Sequence, residues 1–124
     1  MSHENTWESN GLYRKFTGSL TAEDILDANI DLWIDPHFNS IEYLINDFSS
    51  ITGHSILVKD TRVYAFMDDI LSETKEQLKI ALVVNNNKGS LLPLANHYCE
   101  EMKDKLFECD TFLNIEDARK WVAA

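Results

Sequence analysis

The stretch YLINDFSSITGHS, residues 43–55, begins as a run of consecutive apolar residues and then becomes polar. Consecutive apolar residues such as Tyr43, Leu44 and Ile45 are typical of a strand that is covered on both faces. Residues 41–48 therefore predict a buried central strand. The polar residues 49–55 predict the loop that follows this strand, and loops on a rigid scaffold are common places for function.

The other predicted elements are separated by turn-forming and capping residues. Asn10-Gly11 lies between two short β-like segments and predicts a type I′ hairpin turn, in which both central residues take positive φ. Thr21 and Asp24 predict a capping box at the start of a helix that Pro36 ends. The remaining elements are a helix with apolar residues at positions 63, 66, 67, 70 and 71, a buried strand over 79–84, a helix that begins at Ser90, a short strand over 109–113 and a helix capped by Asn114.

The resulting order β-β-α-β-α-β-α-β-α predicts a single α/β domain over residues 1–124. A hairpin opens the sheet, and each later pair of strands is joined by a helix. Strand–helix–strand links imply parallel neighbours with right-handed crossovers, so the predicted sheet is mixed.

Composition argues against several functions. Eleven basic and 21 acidic residues give a formal charge of −10, which disfavours nucleic acid because phosphate binding needs clustered Lys and Arg. No apolar run approaches the ~20 residues of a membrane span, and the N-terminus lacks signal-peptide features, so we expect a cytoplasmic protein. Cys99, Cys109 and the histidines lack metal-ligand spacing, so we expect buried free thiols, no metal and no cofactor.

The motifs at the junctions of these elements resemble a known fold family. They are GSLTAED at 18–24, DPHF at 35–38, NDFS at 46–49, KIALVV at 79–84 and IEDARKW at 115–121. In this order they resemble the SpoIIAA-like branch of the STAS fold. The resemblance implies a non-catalytic regulatory or binding domain, which acts through the loop after the central strand and the following helix on an unknown protein partner. This branch is also similar to the Sec14-type lipid-carrier fold, which implies the alternative of a carrier or sensor of a small apolar, lipid-like ligand, in peripheral contact with a membrane surface.

The first candidate site is a switch in the polar loop. STAS regulators are phosphorylated on a serine at the start of the helix after the central strand, and Ser55 lies nearest that position, although their compact Asp-Ser-Ser-Gly stretch is absent. The alternatives are that these serines are ordinary turn formers, or that Asp47 and His54 serve an enzyme, for which no GxSxG motif is present. The candidate switch residues are Asp47, Ser49, Ser50, His54 and Ser55.

The second candidate site is an apolar pocket at the second predicted helix. Met and aromatic side chains suit an adaptable pocket, and the same residues also suit an ordinary core. The candidate pocket residues are Ile56, Leu57, Val63, Tyr64, Phe66, Met67 and Ile70. The acidic residues Asp68, Asp69, Glu73 and Glu76 lie opposite this apolar stripe and predict a solvated face.

Overall fold

A computed structural model describes residues 3–75, 77–87 and 89–124, so Glu76 of the predicted acidic face lies outside the described residues. The elements are β1 (His3–Trp7), β2 (Gly11–Leu20), α1 (Ala22–Trp33), β3 (Tyr43–His54), α2 (Val58–Lys75), β4 (Lys79–Val83), α3 (Leu92–Met102), β5 (Glu108–Phe112) and α4 (Ile115–Ala123). A short 3₁₀ helix, Pro36–Ser40, links α1 to β3. The predicted fold class and the order of the elements are confirmed.

The five strands form one sheet in the order β1-β2-β3-β4-β5. The β1–β2 pair is antiparallel, whereas β2, β3, β4 and β5 run parallel to one another. Because each crossover advances one strand in the same direction, right-handed connections place α1, α2 and α3 on one face of the sheet. The larger apolar core lies under these three helices, and the smaller core packs Ile45, Ala81 and Val83 against Ala118 of α4 on the opposite face.

The helix caps follow the sequence closely. The Thr21 hydroxyl accepts a hydrogen bond from the Asp24 amide at 3.2 Å, and the Asp24 carboxylate accepts one from the Thr21 amide at 2.9 Å. Asn114 accepts a bond from the Asp117 amide at 2.8 Å, which caps α4. Because these bonds satisfy amides that would otherwise lack partners at helix starts, short local motifs predicted both positions.

The hairpin differs from the prediction. Neither Asn10 nor Gly11 has positive φ, so the predicted type I′ turn is wrong. Instead, the Glu8 amide donates a hydrogen bond to the Gly11 carbonyl at 2.8 Å. Gly11 is needed for another reason: it pairs with Tyr43 across the β2–β3 ladder, and a Cβ atom at this position would overlap the Tyr43 ring.

The central strand is longer than predicted. It continues to His54, so most of the predicted loop over residues 49–55 is strand, and that prediction is corrected. The extension is hydrogen-bonded because β2 also continues past Gly18 and pairs with it. Gly18 takes a positive φ of 75°, beside an irregularity in the register of the two strands. Since β4 pairs with β3 only as far as Asp47, the extension has a strand on one side alone.

Two cysteines that were expected as free thiols form a disulfide between α3 and β5. The Cα atoms of Cys99 and Cys109 are 5.3 Å apart, within the range for such bonds. The expectation rested on spacing along the chain, and spacing does not report that α3 packs on β5. That packing brings the two half-buried side chains together.

Candidate functional site

Helix α2 buries several polar residues and exposes an apolar stripe. Its buried residues are Thr61, Tyr64, Ala65, Asp68 and Ser72. Val63, Phe66 and Ile70 are exposed, with 67% of Phe66 accessible to solvent. The sequence therefore predicted the helix, but the face assigned to the interior is corrected, and Asp68 is not on a solvated face.

The buried hydroxyls on α2 find partners within the helix. Thr61 donates to the Val58 carbonyl at 2.6 Å, and Ser72 donates to the Asp69 carbonyl at 2.6 Å. Such bonds to the preceding turn lower the cost of placing a hydroxyl in an apolar interior. This explains how α2 tolerates a polar inner face.

A cavity of about 70 Å³ lies between the sheet and helices α1, α2 and α3. Most of its wall is apolar, and its polar wall residues are Asn29, Asn46, Thr61, Asp68 and Tyr98. Of the predicted pocket residues, Ile56 and Tyr64 line it, whereas Leu57, Val63, Phe66 and Ile70 are exposed and Met67 is half-buried elsewhere. A cavity thus exists under α2, but mostly other residues form it.

A fully buried arginine stands behind the polar wall. Arg14 Nε donates to Asn46 Oδ1 at 2.9 Å, and its Nη2 donates to Asn29 Oδ1 at 2.7 Å. Its Nη1 donates to the Ala28 carbonyl at 3.0 Å. Burial lowers the pKa of Arg14 to about 10, so the guanidinium remains charged at neutral pH.

The carboxylate of Asp68 faces this region from α2 and accepts a hydrogen bond from the Tyr98 hydroxyl of α3. Burial raises the pKa of Asp68 to about 6, while the Tyr98 bond and the Arg14 charge act in the opposite direction. The pKa of Tyr98 is raised well above its ordinary value, first by burial and then by the Asp68 charge. The structure shows no direct ion pair between Arg14 and Asp68.

Comparison with known proteins bears on the fold. No family model and no curated protein matches the sequence. Among solved structures, the chain is similar to an uncharacterized protein of the DUF3478 family from Shewanella loihica, described as having a SpoIIAA-like fold. The two are 20% identical, the match covers 97% of this chain and 91% of that one, and the TM-score is 0.54. This chain has a SpoIIAA-like fold.

The SpoIIAA-like fold that the motifs resembled is thereby confirmed, and at this identity the likeness extends to the fold alone. A shared fold does not identify a function, because function depends on the residues at a site. The cavity with its polar wall must therefore be judged on its own chemistry.

The SpoIIAA-like fold places the predicted switch residues in two separate regions. Asp47 is buried near α4, where it accepts bonds from the Tyr13 hydroxyl at 2.5 Å and the Ser49 hydroxyl at 2.6 Å. His54 Nδ1, at the far end of β3, accepts a bond from the Ile56 amide at 3.1 Å. Asp47 and His54 are seven positions apart in this strand, which is about 23 Å at ~3.3 Å per residue, so these two side chains do not meet in one cleft.

Ser50 and Ser55 are both exposed, and Ser55 stands three positions before α2 begins. The Ser55 amide donates to the Leu20 carbonyl at 2.9 Å, which fixes the backbone at this point. The Leu57 amide donates a hydrogen bond to the Asp60 carboxylate at 2.8 Å, so this amide already has a partner. Phosphorylation of Ser55 stays a prediction.

Sequence reasoning missed the buried polar residues, although a signal for two of them was present. Alternate residues of β2 point to one face of the sheet, and these include Leu12, Arg14 and Phe16. Leu12 and Phe16, on either side of Arg14, are fully buried. Along β3, Asn46 lies between buried Leu44 and Phe48 in the same way. Because successive strand residues point to opposite faces, this alternation indicates an inward Arg and an inward Asn.

Within residues 3–75, 77–87 and 89–124, no three metal-binding side chains come together in a group that could hold an ion. Over the same described residues, no helix combines the length and the apolar character that crossing a membrane requires.

Proposed function

We propose that this chain is a non-catalytic binding domain that docks on a protein partner through the outer α2 face, defined as Val63, Phe66 and Ile70. The observation that carries the proposal is the reversal of α2, which exposes this apolar stripe and buries Asp68 instead. Burying one such apolar side chain is worth about 1.5–3 kcal/mol. An exposed stripe of this kind leaves that free energy available for association.

The charges around the outer α2 face favour a protein over a lipid surface. Lys59 and Arg62 stand at its N-terminal end, and Asp69 and Glu73 at its C-terminal end. An apolar centre with a polar rim is the usual anatomy of protein interfaces. Anionic membranes instead attract helices whose polar face is basic, and a chain with a formal charge of −10 is repelled by them.

The position of this surface agrees with what the fold resemblance implies. Helix α2 directly follows the central strand β3, and that region is the one through which STAS-like regulators engage partners. Phe66 is the most exposed large side chain on the face, and aromatic anchors commonly supply much of an interface's binding energy. We therefore expect Phe66 to be the central contact.

The test places a photo-crosslinking amino acid at position 66, with position 116 on α4 as the matched exposed control. We expect one protein to be captured from position 66 and not from 116. With that protein purified, Phe66→Ser should weaken its binding by at least about tenfold, since a buried aromatic anchor is worth more than ~1.4 kcal/mol. Cross-links to lipid, binding to phosphatidylglycerol vesicles, or capture equal at both positions would each contradict the proposal.

A second candidate function is a carrier or sensor of a small apolar ligand, and the cavity beneath α2 favours it. Its volume of about 70 Å³ is roughly half of the ~150 Å³ that holds benzene in an engineered protein cavity. A lipid chain does not fit while the helices keep this arrangement. Native mass spectrometry after gentle extraction tests this function, and a small copurifying ligand is the expected result.

A further inference from the structure

Two carboxamides in the cavity wall are oriented by the buried arginine. Asn29 and Asn46 both give their Oδ1 atoms to Arg14, at 2.7 and 2.9 Å. An amide whose oxygen accepts from a guanidinium directs its NH₂ group elsewhere. Among the atoms that the structure describes, neither NH₂ group has an acceptor, and no side-chain nitrogen or oxygen of a described residue is both fully buried and unpaired. Both NH₂ groups are therefore donors that the cavity or its mouth can reach.

Asp68 supplies an acceptor to the same cavity. Its Oδ2 accepts from the Tyr98 hydroxyl, and its Oδ1 has no donor among the described residues. With a pKa of about 6, the carboxylate is mostly ionised at neutral pH. The polar wall thus combines two donors and one acceptor around a single small space.

The charges of the wall select against an anionic ligand. The buried Arg14 cation and the Asp68 anion offset each other at neutral pH. A carboxylate ligand would add a second buried negative charge beside Asp68, which is costly without a partner of its own. A neutral head group avoids that cost and matches the donors and the acceptor.

The apolar part of the wall and the volume of the cavity determine the chemistry and the size of the rest of the ligand. Leu44, Ile80 and Leu82 of the sheet and Ile25 and Leu32 of α1 present hydrocarbon to the cavity. At about 70 Å³, roughly half of the ~150 Å³ that holds the six carbon atoms of benzene, the space admits a ligand of roughly three or four non-hydrogen atoms.

We infer that this cavity binds a compact neutral ligand with a methyl-sized hydrocarbon body and a head group that both accepts and donates hydrogen bonds, such as a small primary carboxamide. The carbonyl oxygen accepts from the Asn29 and Asn46 NH₂ groups, and the amide N–H donates to Asp68. The inference is independent of the outer α2 face, and it rests on the second candidate function, whose ligand class it narrows.

The experiment uses the full chain labelled with ¹⁵N and three probes that share one branched arrangement of four non-hydrogen atoms. Acetamide is neutral and has both functions, acetate is anionic, and isobutane is apolar. At neutral pH we expect acetamide to give saturable chemical-shift changes that include the Asn29 and Asn46 side-chain NH₂ signals. Acetate should bind at least about tenfold more weakly, because burying an unpaired charge is costly.

Variants separate the head-group contacts from the cavity itself. Asn29→Leu should weaken the binding of acetamide at least about tenfold and leave the binding of isobutane unweakened, because it removes a donor and adds apolar wall. Asn39→Leu, on an exposed asparagine of the 3₁₀ helix, is the matched control and should change neither affinity. Asp68→Asn should bring the affinity for acetate closer to that for acetamide, and this variant provides the test if Asn29→Leu fails to fold.

The outcomes are distinguishable. Saturable binding of isobutane alone, or equal binding of acetamide and acetate, would overturn the inference and leave the carrier function standing. Failure of all three probes to give saturable shifts, with only ordered water in the cavity, would overturn both.

Discussion

The hydroxyl of Tyr98 on α3 donates a hydrogen bond to the carboxylate of Asp68 on α2, and both side chains are buried. This pair joins the two helices that lie over the central sheet, directly beside the cavity. A carboxylate in such a place costs desolvation, which the Tyr98 bond and the nearby Arg14 charge only partly offset. The pair therefore makes the stability of the domain depend on pH.

The first prediction concerns Asp68→Asn. The folded-state pKa of Asp68, about 6, lies above its ordinary value of 3.8, so the folded state binds this proton more tightly than the unfolded state does. Its contribution to stability therefore rises as the pH falls through 6 towards 4. Relative to Asp68→Asn, the free energy of unfolding of the native chain should increase by about 1 kcal/mol between roughly pH 7.5 and pH 5. Urea unfolding of the native chain and of Asp68→Asn at both pH values measures this increase. A difference between the two proteins that does not change with pH would contradict the raised pKa of Asp68.

The second prediction tests the reversal of α2. Phe66→Ser should change the free energy of unfolding by less than about 0.5 kcal/mol, because Phe66 is mostly in solvent. Phe107→Ser is the matched control, since Phe107 is fully buried in the main core, and it should cost about 3–5 kcal/mol. Chemical denaturation compares the two variants. A large loss at position 66 would mean that the apolar stripe faces inward after all.

Patterns that act within a few residues predicted much of this fold. The Thr21–Asp24 capping box and the Asn114 cap depend only on neighbouring residues, and both formed as expected. The order of the elements then determined which helices share a face of the sheet, because parallel crossovers have one hand.

Features that depend on distant residues were not predicted. The period of α2 is readable from sequence, but its buried face depends on Arg14 and Tyr98, which approach from β2 and α3. The extension of β3 likewise depends on how far β2 continues beyond Gly18. The candidate cavity residues were missed for the same reason, since Asn29 and Asn46 gain their role only through Arg14.

The third prediction concerns the close approach of Gly11 and Tyr43. Gly11→Ala should destabilise the domain by about 1–3 kcal/mol, because the added methyl group overlaps the Tyr43 ring and forces it to move. Gly53→Ala is the control, since a Cβ there meets open space and its φ is not in the left-handed region. Thermal unfolding of both variants provides the comparison. Equal effects at the two positions would show that Gly11 matters for chain flexibility and not for packing.

The fourth prediction separates two serines of the proposed switch. Ser49→Asp places a negative charge against the buried Asp47 carboxylate, to which the Ser49 hydroxyl donates at 2.6 Å, and should cost about 1 kcal/mol or more. Ser55→Asp is exposed and should leave stability nearly unchanged, so it is the better mimic of a phosphorylated state. Denaturation curves test the stability difference. The affinity of Ser55→Asp for the partner that cross-links at position 66 then shows whether a charge at position 55 alters binding. An affinity equal to that of the native chain would contradict the predicted switch.

The last prediction concerns the Cys99–Cys109 disulfide. The two residues are ten positions apart, and closing a loop of this size is expected to stabilise the fold by about 2–3 kcal/mol in the chain-entropy model. Dithiothreitol should therefore lower the unfolding temperature of the native chain, whereas Cys109→Ser should start lower and show no further response to the reductant. Because disulfides are uncommon in reducing compartments, the redox state of the pair in cells also bears on the expected cytoplasmic location. Two reactive thiols in the unfolded, air-oxidised chain, or equal unfolding temperatures with and without dithiothreitol, would restore the original expectation of free cysteines.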